Sequence, residues 1–155
     1  MPDVITLGEA MIRLSPPGFQ RLEQACSLDV QVGGGELNVA VAVSRLGLSS
    51  AWVSKLPDNG LGRLIRNKAR EQGVDTSHIV WSKEGRAGLY FVEFGASPRA
   101  SSVLYDRANS AISQIKPGEI DWSRVFGGAK WFHVSGITPA LSASAATLTA
   151  EALQA

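Results

Sequence analysis

The chain has 155 residues, 45% of them hydrophobic and 19% charged, a mixture that buries a core and does not suit a disordered segment. Lys and Arg number 15 against 14 Asp and Glu, a net charge of +1, so the basic field that nucleic acid binding needs is missing. A single cysteine, Cys26, excludes an internal disulfide and speaks against a zinc cluster; no apolar run approaches the roughly 20 residues of a membrane span, and Met1 to Leu14 lack the order of a secretory signal. The expectation is a cytoplasmic protein that touches neither membrane nor nucleic acid.

Val4-Ile5-Thr6-Leu7 is short, apolar and β-branched, the pattern of a strand covered on both faces. Ser15-Pro16-Pro17-Gly18 reads as a turn, and the alternation of Leu28 to Val32 as a strand with one exposed face. After Gly33-Gly34-Gly35 a helix is predicted from about Glu36 to Leu46, stopped by Gly47 and apolar nearly all round, which predicts burial in the interior. Ala51 to Val53 forms the next strand. Leu61, Leu64, Ile65, Lys68 and Ala69 then recur at helical spacing, ending at Gly73, and a strand follows near His78 to Trp81.

Strands alternating with helices predict a doubly wound α/β fold with a mostly parallel sheet. The middle of the chain departs from that rhythm. Leu89 to Phe94 and Ser102 to Tyr105 read as a hairpin around the polar loop Gly95 to Ser101. With the early alternating strand it predicts a small second sheet. Lys130 to Val134 resumes the main sheet, Ser135 to Pro139 is a loop, and a last helix starts near Ser142. That helix has no terminal glycine and no following strand, so the fold reads as truncated.

The glycine run carries the strongest chemical signal. Consecutive glycines before a helix let backbone N–H groups approach a ligand without Cβ obstruction. Asn38, in the first helical turn, offers a donor and an acceptor to a hydroxyl. The run is neither the dinucleotide fingerprint nor a Walker A loop. On glycines alone, a plain flexible turn explains it equally well. His78 and His133 fit no catalytic order and read as structural, and the four tryptophans as core or interface anchors.

Gly33-Gly34-Gly35-Glu36-Leu37-Asn38-Val39-Ala40 through Leu46-Gly47 resembles the N-terminal signature of the ribokinase-like (PfkB) carbohydrate kinases. Leu7-Gly8-Glu9, Leu56 to Gly62, Gly73-Val74-Asp75 and Val134 to Ile137 match further blocks in order, so the resemblance spans essentially the whole chain. Ala87 to Tyr90, Leu104 to Ala111 and Phe132 to Ser142 are similar to the 2-keto-3-deoxygluconate kinase branch. The resemblance implies a ribokinase-like sheet over residues 1–155 with a small β lid, its strands within about 12–32 and 88–107.

It implies ATP- and Mg²⁺-dependent phosphorylation of a sugar acid, with a fructokinase or another member of the family, or a non-catalytic sugar-binding fragment, as alternatives. Substrate would be held by Gly33, Gly34, Gly35, Asn38, Tyr90, Tyr105 and Arg107, the guanidinium pairing with its carboxylate. Homodimers are implied through the lid. Arg13 stands where fructokinase-like members carry Asp, which points toward an acidic substrate, and Glu36 stands where many members have a small residue. The family's Gly-Ala-Gly-Asp block, whose Asp is the general base, does not occur in these residues. The chain by itself is therefore expected to lack the base and the nucleotide site.

Overall fold

The structure, a computed structural model, describes residues 1–155. Four parallel strands form the main sheet: β1 (Val4–Leu7), β4 (Ser50–Pro57), β5 (Ile79–Ser82) and β8 (Trp131–His133), in the order β5-β4-β1-β8. Register is set by pairs such as Ile5 with Ala51 and with Phe132. A second sheet runs β3-β2-β6-β7, from β2 (Met11–Ser15), β3 (Asp29–Gly33), β6 (Leu89–Glu93) and β7 (Ser102–Asp106). Its β2–β6 pair is parallel and the other two pairs are antiparallel.

Side-chain alternation along β4 divides the core in two. Ala51 and Val53 face one side with Ile5 and Leu7, packed against Ile115, Trp122, Leu148 and Ala152. These come from the short helix α3 (Trp122–Phe126), the helix α5 (Ala143–Gln154) and the end of the 3₁₀ turn Ile112–Gln114, which Ile115 directly follows. Trp52 and Leu56 face the other side, against Leu37 and Ala40 of α1 (Gly35–Arg45) and Ile65 and Ala69 of α2 (Gly60–Glu71). Helices thus cover both faces of a parallel sheet, the doubly wound arrangement. Ala10, Ile12 and Ala87 at the root of the second sheet join that second cluster, so the lid is anchored in the core and not hung on a linker.

Local chemistry explains the ends of the helices. Asn59 caps α2, its side-chain oxygen accepting from the Leu61 and Gly62 amides at 2.9 and 3.1 Å. Asp121 caps α3 and Ser142 caps α5. Gly47 and Gly73, which end the first two helical segments, have φ of +89° and +83°, the left-handed region open to glycine.

One expectation fails. Only Glu36, Leu37 and Ala40 of α1 are buried; Ala42 is exposed and Val39 and Val43 are half-buried. The helix packs one face on β1 and β4, and its outward face is left uncovered despite its apolar composition. Trp52 and Trp122 are core residues, whereas Trp131, on the outer edge of β8, is 73% exposed. No helix is long and apolar enough to cross a membrane.

Candidate functional site

The carboxyl ends of the parallel strands and the inner face of the lid meet at one cleft of about 210 Å³. Open α/β sheets place ligands outside these strand ends. All seven residues singled out in the sequence line it: Gly33, Gly34 and Gly35, then Asn38, Tyr90, Tyr105 and Arg107.

The glycine turn joins the last lid strand pairing of β3 to the first turn of α1. Gly34 occupies the N-cap position, and no side chain caps the helix. The amides of the first turn therefore stay free to meet an anion or a hydroxyl, in the positive field of the helix terminus. The three glycines have different reasons to lack a Cβ. At Gly34 a Cβ would run into the Glu9 carbonyl and lie 2.8 Å from Ala10 Cα; at Gly33 it would lie 2.6 Å from the Tyr90 hydroxyl. At Gly35 it would meet nothing within 4 Å, because that position opens on the cleft. Asn38, one turn further, is exposed there.

Tyr90 and Tyr105 are cross-strand partners on β6 and β7. Their rings stack with centroids 5.9 Å apart at 27°, a pairing that contributes about 0.5–1.5 kcal/mol beyond area burial. The Arg107 guanidinium lies 5.8 Å from the Tyr105 centroid. Arg107 immediately follows β7, whose end is tied down by a two-pronged ion pair. Arg86 donates to both Asp106 oxygens, at 2.6 and 2.7 Å, and the Arg86 carbonyl accepts from Ala111 N at 2.8 Å. The guanidinium holds the Asp106 carboxyl below the usual carboxylate range. Asn109, two residues on, turns the chain back with φ of +56°.

Four more residues line the cleft without having been singled out as site residues in the sequence: Glu9, Met11, Glu36 and Ile137. Glu9 stands two residues past the end of β1. The preceding Gly8 carbonyl accepts from Trp52 Nε1 at 3.1 Å and Ser54 Oγ at 2.8 Å, which pins the turn and aims Glu9 at the cleft. Glu9 is 4% exposed and accepts from Arg107 Nη2. Its place at the carboxyl end of a buried parallel strand was the signal that could have found it. Glu36 is 2% exposed. Its Oε1 accepts from Ser135 N at 3.1 Å, from Ser135 Oγ and from Thr138 Oγ1 at 3.2 Å. Glu36 thereby ties the start of α1 to the loop after β8 and to α4 (Ile137–Ala140).

Arg13 lies on β2 with its guanidinium 5.9 Å from the Phe94 centroid, and it is not among the residues lining this cleft. His78 and His133 also lie away from the cleft.

The arrangement supplies backbone N–H donors, two phenols, one amide and one guanidinium around a small polar space. That set suits a compact ligand with an anionic group and several hydroxyls. No three His, Cys, Asp or Glu side chains gather as a metal-holding group.

The sequence profile of the pfkB family carbohydrate kinases matches residues 1–155. The chain belongs to the pfkB family of carbohydrate kinases. It is 47% identical over 152 residues to a 2-dehydro-3-deoxygalactonokinase of Haloferax volcanii, covering 98% of this chain and 47% of that protein. A 5-dehydro-2-deoxygluconokinase of Shouchella clausii is 41% identical over 144 residues, covering 92% and 44%. Among solved structures, a 2-dehydro-3-deoxygluconokinase of Thermotoga maritima superimposes with a TM-score of 0.94 at 46% identity, over 97% of this chain and 46% of that one. The chain spans just under half the length of these relatives.

Proposed function

We propose that this chain is the sugar-binding part of an ATP-dependent kinase for keto-deoxy sugar acids, with 2-keto-3-deoxygluconate as substrate. In the proposed reaction a sugar hydroxyl attacks the terminal phosphorus of ATP, giving the 6-phosphate and ADP. The observation that carries this reading is the convergence, in one cleft, of an uncapped helix start, Asn38, two stacked tyrosines and Arg107. Arg107 takes the carboxylate, the amides of the glycine turn and Asn38 take hydroxyls, and the tyrosine rings shield the sugar from water. ATP supplies the phosphoryl group. The general base and the sites for ATP and Mg²⁺ belong, in this reading, to the length of the relatives that this chain does not span. The names of the relatives support the substrate class, since each is named for a keto-deoxy sugar acid.

The lid is the surface through which we propose a second copy of the chain binds. Titration calorimetry of this chain tests the substrate reading. We expect saturable heat with 2-keto-3-deoxygluconate in the absence of nucleotide, and no phosphorylation when ATP is added. Binding of fructose with none of the keto-acid would overturn it in favour of a neutral sugar.

A further inference from the structure

Six buried side-chain N or O atoms in the chain have no hydrogen-bond partner. Two of them belong to one ion pair on the cleft wall: Glu9 Oε1, an acceptor, and Arg107 Nε, a donor. Glu9 is 4% exposed, so its free oxygen gains little from bulk water, and its one hydrogen-bond partner is Arg107 Nη2. Glu36, the other buried acid of the cleft, contrasts with it: three donors from the loop after β8 and from α4 converge on its Oε1. Room beside the Glu9–Arg107 pair is kept by Gly88, where a Cβ would lie 2.9 Å from Glu9 Oε1 and 3.4 Å from Arg107 Cβ.

We infer that Glu9 is a positioning residue of the cleft: through its ion pair with Arg107 it holds the guanidinium on the cleft wall, where the carboxylate of the proposed substrate would meet it. The inference rests on the proposed sugar-acid reading and adds to it a residue that must be charged.

The test is a double-mutant cycle on the 155-residue chain, read by calorimetry with 2-keto-3-deoxygluconate. E9Q and R107A should each weaken binding about tenfold or more, and E9Q/R107A by less than the product of the two. Losses that multiply, or E9Q binding like the wild type, would overturn the inference. A nitrogen-resolved NMR spectrum of the Arg107 side chain reads the positioning role without any ligand. The signal of the Nη2–H that Glu9 accepts should be sharp and slow to exchange in the wild type and collapse in E9Q. E9D, which keeps the charge but draws it back by one methylene, should collapse it too and serves if E9Q does not fold. An Arg107 signal unchanged in these variants sinks the positioning role even if the keto-acid binds. Absence of keto-acid binding by the wild type, with the Arg107 signal behaving as described, sinks the substrate reading and leaves the positioning role standing.

Discussion

At the scale of single residues, adjacent glycines make separable contributions. Gly34 is required by packing, because its Cβ would collide with the backbone of Glu9 and Ala10. Gly35 is required by nothing in the fold, since a Cβ there meets only open space on the cleft side. Its φ is helical and alanine is a better helix former, by about 0.8–1.0 kcal/mol at an interior helix position and less at a first residue. We therefore expect G34A to lower the thermal midpoint clearly, while G35A leaves stability unchanged or slightly raised. For keto-acid binding we expect the reverse pattern: G35A folds normally but binds at least about tenfold more weakly, because its methyl stands where the ligand approaches the amides. Thermal melts and calorimetry on the two variants give the answer. A G35A protein that binds as the wild type would remove the glycine turn from the site.

At the scale of elements, the lid is the unit that makes the cleft and the one with most surface left over. Every residue of β7 is exposed, and β7 is an edge strand, its outer backbone groups open to pairing. Leu104 is 60% exposed and Val103 49%. In the proposed dimer a second copy of this edge covers it. Sedimentation of the chain should show a concentration-dependent monomer–dimer equilibrium that L104K abolishes. Because Leu104 is exposed, the same substitution should change unfolding free energy by no more than about 0.5 kcal/mol. A chain that stays monomeric at all concentrations would contradict lid pairing.

The elements also show what a sequence can and cannot reveal. The hairpin of β6 and β7, the helix after the glycines and the capped start of α5 were all legible, because each is coded locally by period, turn residue or cap. The strand β2 was harder to see. Met11 to Ser15 is flanked by Gly8 and by Pro16-Pro17-Gly18, and its parallel pairing with β6 joins positions more than seventy residues apart. The short α3 and α4 are similar cases, too brief to show a period. The uncovered face of α1 was misread because composition alone cannot say which neighbours a helix will have.

At the scale of the whole molecule, two sheets of different purpose share one core. The parallel sheet, with helices on both faces, is the rigid body; the lid grows from its second hydrophobic cluster and carries half of the cleft. The seven cleft residues read from sequence come from the lid strands and the start of α1, spread over positions 33 to 107, and only the fold brings them together. What sequence could not supply was the partnership of Glu9 and Arg107, separated by 98 residues, or the approach of the Arg13 guanidinium to the Phe94 ring. Both depend on lid register, which no local pattern specifies. The central claim is that these seven residues act as one receptor for a sugar acid. Backbone amide NMR of the chain, titrated with 2-keto-3-deoxygluconate, tests it most directly. Shifts concentrated at Gly33 to Gly35, Asn38, Tyr90, Tyr105 and Arg107, with β5 and the exposed edge of β8 unmoved, are the predicted result. Shifts that spare the glycine turn and both tyrosines, or that gather on the outer edges of the sheet, would contradict it.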